Sequence, residues 1–188
     1  YFSGFIGFLI LIIATAIGNG IHSTSTSVSE AFPQGARTKA YFTNEIFHDY
    51  MSHEVGSLGA IGIAVFMGLL ELNHPAQNPS FSLELAVVMG LAIGLLAASY
   101  IIRGTYIGLS LLASFCGSLI MIFGAYSLYG SQHIYRYPLS ITMLTSVFTI
   151  FTTLILVAVI VLLSKTLTRK LVRLLLPKGH PVRESFHI

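Results

Sequence analysis

Five runs of about twenty apolar residues, nearly free of charge, dominate this chain. They lie near residues 1–22, 48–71, 84–102, 105–128 and 139–164. Roughly 20 helical residues cross the hydrocarbon of a bilayer. Inside a bilayer each backbone N–H and C=O must find its partner within protein, which leaves helices or closed barrels. The runs lack the strict alternation and aromatic girdles of barrel strands. The sequence therefore predicts an all-α, polytopic transmembrane helical bundle of about five spans. Only 9% of the residues are charged, against about 25% in a soluble domain, so no soluble core needs to be sought.

Turn residues separate the runs. Pro33-Gln34-Gly35 breaks the first from the second, and His74-Pro75 with Asn78-Pro79 breaks the second from the third. Only Arg103-Gly104 stands between the third and fourth, which predicts a tight hairpin. Pro138 starts the fifth. The hydroxyl-rich stretch Ser23 to Ser29 leaves the end of the first helix open, because Ser and Thr side chains bond back to nearby carbonyls. If the helix continues, Thr15, Asn19, His22, Thr26 and Ser29 share one face. Thr142, Thr145, Ser146, Thr149, Thr152 and Thr153 recur along the fifth run and read as a helix-packing face, with a conduction path as the alternative. The lone Cys116 reads as a buried structural thiol. Tyr1 stands first in place of Met, already inside an apolar run, which suggests a start further upstream.

Residues 1–164 form the expected membrane domain and residues 165–188 a basic tail. Lys165, Arg169, Lys170 and Arg173 alternate with leucines up to Pro177 and Gly179. This pattern predicts a basic amphipathic helix on anionic lipid, not a nucleic-acid surface. Six of the ten basic residues follow Ser164, so the positive-inside rule places the C-terminus in the cytoplasm. Five spans then put Arg37, Lys39 and Arg103 inside and the loop from Glu71 to Ser80 outside. Arg136 alone dissents.

The densest ionisable cluster sits at the mouth of the second span. Glu45, His48, Asp49, His53 and Glu54 all fall within ten residues. On a straight helix Glu45, Asp49 and His53 form a row, His48 and Ser52 lie beside it, and Glu54 points away. Gly56, Gly59 and Ala60 continue the face inward and would admit a close neighbour. Charged groups near a span are costly unless paired, so this face is expected to turn toward the first helix. Antiparallel succession of the two helices brings His22 to the depth of His48 to His53.

Imidazole and carboxylate four residues apart on a helix suit one divalent ion, zinc or copper. The predicted ligands are His22, Asp49 and His53, with His48 or Glu45 completing or orienting the shell. A separation above about 10 Å between the His22 and His53 rings would exclude a shared ion. The plainer reading is a set of hydrogen bonds or an Asp49–His53 ion pair that locks two helices. His74, His133, His180 and His187 read as loop or surface residues. No P-loop, Gly-rich nucleotide motif or nucleophile elbow occurs. Three functional classes follow: a membrane protein with a hydrolytic or redox metal site, a non-catalytic accessory subunit of a larger membrane complex, and a small ion or proton transporter.

Overall fold

The computed structural model describes residues 2–32, 38–74, 82–104, 107–129 and 137–175. Five helices carry it: α1 (Phe2–Ala31), α2 (Lys39–Asn73), α3 (Leu83–Arg103), α4 (Gly108–Tyr129) and α5 (Pro138–Leu175). Each is long and apolar enough to cross a membrane. The protein is thus a polytopic all-helical membrane bundle, and α3 and α4 are separate helices, as the Arg103-Gly104 break predicts.

Two helices are longer than the apolar runs alone suggest. α1 continues through the hydroxyl stretch to Ala31. Thr26 Oγ1 and Ser27 Oγ donate to the carbonyls of His22 and Ser23, at 2.9 and 3.1 Å, so these hydroxyls satisfy themselves on the helix. α2 begins at Lys39, where the Thr38 hydroxyl caps it by accepting from the Tyr41 N–H at 3.2 Å. Its stretch Ile46–Ser52 is a π-helix, set between the α-helical Lys39–Glu45 and His53–Asn73.

α2 makes contacts with α1, α3 and α4, and two of its carboxylates, the buried Glu54 and the half-buried Glu71, reach the ends of neighbouring helices. Glu54, just past the π turn, accepts a hydrogen bond from Ser110 Oγ at 3.1 Å, and Ser110 and Ser57 hydroxyls lie 2.6 Å apart. Glu54 thereby reaches the first turn of α4 and meets its partially positive end. Glu71, near the other end, accepts from the N–H groups of Leu139 and Ser140 at 3.2 and 2.6 Å, and from Ser140 Oγ at 2.9 Å. It supplies the acceptor for the free N–H groups that follow Pro138, which itself has none to donate. Both acidic residues are helix caps delivered from a neighbouring helix.

The contacts divide the chain into residues 1–153 and 154–188. In the first unit the hydroxyl stripe of α5 packs on α3. Thr142 Oγ1 donates to the Ala86 carbonyl at 3.1 Å and Ser146 Oγ to the Gly90 carbonyl at 3.0 Å. A Cβ on Gly94 would come within 2.6 Å of Thr149 Cβ and 2.7 Å of the Ser146 carbonyl oxygen. From Thr142 to Thr149 the stripe is a packing face, and the hydroxyls of Thr142, Ser146 and Thr149 are bonded to α3 or to their own helix, whereas Thr152 is exposed. Gly94→Leu is expected to separate α3 from α5 and cost about 2 kcal/mol or more, read as a lower SDS-unfolding midpoint than that of Ala92→Leu, whose side chain is exposed.

In the second unit α5 continues without a break at Ser164, whose hydroxyl donates to the Val161 carbonyl at 2.9 Å. The stretch predicted as a basic amphipathic helix is helical as far as Leu175, in continuation of the fifth helix. Arg37, Pro177, Gly179, His133, His180 and His187 lie outside the described residues. Cys116 is exposed, not buried: it falls on the outward side of α4, away from the serines that face α2.

Candidate functional site

The site lies where α1, the π turn of α2 and the end of α3 meet. α1 presents Thr15, Asn19, His22, Thr26 and Ser29 along one face, and each level of that face finds a partner on α2. At the deepest level Thr15 stands against Gly59, and above it Gly18 packs on the backbone of Gly56. At the outer end Ser29 Oγ accepts from Asn44 Nδ2 at 2.9 Å and lies 3.4 Å from Glu45 Oε1. Between these two anchors sit three imidazoles.

The His22 ring stacks on His48 with centroids 4.6 Å apart and meets His53 edge-on at 5.0 Å. His48 and His53 are 6.2 Å apart. The π turn brings His48 into this group. In such a turn the backbone hydrogen bond spans five residues instead of four, so side chains five apart approach the same side. A straight α-helix would have offered Asp49 with His53 instead.

A fourth side chain completes the cluster. The Tyr100 ring, from the last turn of α3, lies 4.7 Å from His53 and 6.0 Å from His22. Its approach requires the close passage of Gly104, where a Cβ would lie 2.9 Å from His53 Cβ. Nothing local in the sequence marks Tyr100: it is an aromatic residue near the end of an apolar run, indistinguishable from an interfacial tyrosine.

The polar atoms of the cluster fall into two groups. His48 is fully engaged, with Nδ1 3.1 Å from Asp49 Oδ1 and Nε2 3.2 Å from Thr26 Oγ1. Its Ser52 neighbour one turn on donates to the His48 carbonyl. By contrast, His22 Nδ1, His53 Nδ1 and the Tyr100 hydroxyl are buried with no hydrogen-bond partner among the described residues. His53 is only 4% exposed. A buried polar atom without a partner costs roughly 1–3 kcal/mol, and three on neighbouring rings mark a place where something else belongs.

The predicted ligands therefore divide. His22, His48 and His53 come together, and the His22–His53 separation is well inside the limit set for a shared ion. Asp49 is turned to His48 and orients it. Glu45 lies beside Ser29, outside the cluster. Among the described residues no three His, Cys, Asp or Glu side chains are arranged to hold one ion. The stacking of His22 on His48 gives the reason. Ring lone pairs lie in the ring plane, and planes only 24° apart and 4.6 Å offset do not aim at one point.

No known protein family, curated protein or solved structure matches the chain. The functional reading rests on the residues themselves.

Proposed function

We propose that this membrane protein binds one divalent transition-metal ion, zinc or copper, through His22 Nδ1, His53 Nδ1 and the Tyr100 oxygen. The observation that carries the reading is the set of three buried, unpartnered polar atoms on rings whose centroids all lie within 6.0 Å of one another. Imidazole nitrogen suits zinc and copper alike. Asp49 and Thr26 hold His48 as a wall of the site. A metal with three protein donors and an open position supplies a polarised water or a seat for a substrate oxygen.

Elemental analysis of protein purified in mild detergent tests this. Wild type is expected to carry about one zinc or copper per chain, or to take it up in dialysis, with His53→Ala losing it and Glu45→Gln keeping it. Copper loading gives a phenolate-to-copper absorption band that Tyr100→Phe removes while the fold persists. A wild-type protein that takes up neither metal overturns the reading and leaves the cluster as a lock between α1 and α2.

A further inference from the structure

Next to the cluster, with Tyr100 in the wall of both, the bundle has a half-open cavity of about 320 Å³, within the size range of small-molecule sites. It extends along α2 from Gly56 to Ala64, about 12 Å at the helical rise, and along α3 from Tyr100 and Ile101 to Ile93. Its two ends differ chemically. The hydroxyls of Thr15, Ser57 and Ser146 in its wall are already bonded to the carbonyls of Leu11, Glu54 and Gly90, at 2.9, 3.1 and 3.0 Å. They present little free polarity. The end next to the histidines keeps Asn19 and the unpartnered Tyr100 hydroxyl. The far end has Ala64 and Ile93. Ala60 and Ile93 in its wall are exposed and the cavity is half open, which gives a chain dissolved in the bilayer a way in.

We infer that this cavity receives a single hydrocarbon chain of a lipid, with the lipid's polar head at Tyr100 and the histidine cluster. The lining is mostly apolar, with the free hydrogen-bonding groups, Asn19 and the Tyr100 hydroxyl, at one end. The cavity's length along the helix axes matches an extended chain lying parallel to those of the surrounding bilayer. A water-soluble ligand would face mostly aliphatic walls, and burying its polar groups there without partners costs several kcal/mol. The chemistry fits a free long-chain acid or alcohol and also one chain of a phospholipid. If the metal reading holds, the polarised oxygen of that headgroup is what the metal faces, and this assignment of substrate class rests on it. Occupancy of the cavity itself does not.

The test uses the full chain in phospholipid nanodiscs with two photoreactive probes, a diazirine-bearing fatty acid and a phospholipid carrying the same diazirine chain. Labelling is expected on Ala60, Ala64, Ile93 and Ala97, saturable with added unlabelled fatty acid or lipid. Ala97→Trp and, separately, Ala64→Phe fill the cavity from opposite helices and are expected to cut that labelling about tenfold. Labelling by the fatty acid alone assigns the free acid, and labelling by both assigns a lipid chain. Label spread evenly over outward residues such as Leu96 and Phe123, unchanged by both fillings, overturns the proposal. Metal content measured on the same Ala64→Phe protein separates the two readings. Retained metal with lost chain labelling supports the cavity as the chain's site, and chain labelling in a protein that binds no metal defeats the metal reading alone.

Discussion

Gly18→Val should abolish the folded arrangement of α1 on α2. A Cβ at position 18 would collide with the backbone N and Cα of Gly56 and approach the Ser52 carbonyl oxygen to 2.8 Å. All three obstacles are backbone, so no side chain can swing aside. The helices must separate, and with them the whole ladder from Thr15 to Ser29. The expected loss is about 3 kcal/mol or more. It should appear as a collapsed SDS-unfolding midpoint and as a loss of any metal bound at His22 and His53, since His22 is carried one turn further along α1. Gly20→Val is the matching control: nothing lies within 4 Å of a Cβ there. It should change the midpoint by less than about 1 kcal/mol. Equal effects at the two positions would show that α1 does not pack on α2 at Gly56.

Glu71→Ala should be the most damaging removal of a charge. Its carboxylate takes three hydrogen bonds, from Leu139 N–H, Ser140 N–H and Ser140 Oγ, and its loss strands the first turn of α5. Lost bonds to a charged acceptor and stranded donors together cost about 3 kcal/mol, with the favourable meeting of carboxylate and helix N-terminus lost as well. Glu71→Gln keeps one acceptor oxygen and should cost about half as much. Thermal unfolding in one detergent ranks the set. Ala and Gln variants both matching wild type would mean that water serves the α5 terminus as well as Glu71 does. Hydrogen exchange at Leu139 and Ser140 should rise in step with the loss, which a general weakening of the bundle would not produce.

The candidate site was half legible in the sequence. His22 and the His48–His53 segment share a depth because consecutive spans run antiparallel, and that needs only the lengths of the apolar runs. The small residues Gly56 and Gly59 mark the face that approaches α1, because a close helix crossing excludes larger side chains. Helical periodicity also places Thr15, Asn19, His22, Thr26 and Ser29 on one side, and that side meets α2 level by level. Ala60 departs from the expected buried face: it is exposed and borders the cavity.

Three features came only from the tertiary structure. The π turn at Ile46–Ser52 changes which side chains face His22, exchanging Asp49 for His48. A reading at about 100° per residue has no means to place a five-residue turn. Tyr100 joins from another helix, across a contact that depends on the lack of a side chain at Gly104. Glu54 and Glu71 are revealed as caps for α4 and α5, more than fifty residues further along the chain. The sequence by itself determined what must be local: the number of spans, their rough limits, and the helix faces that cannot meet lipid. Rotation of each helix about its own axis and the partners of each buried polar group depend on contacts between distant segments. Only the packed bundle decides those, because every unpaired donor or acceptor in hydrocarbon must find its partner on whichever helix comes near.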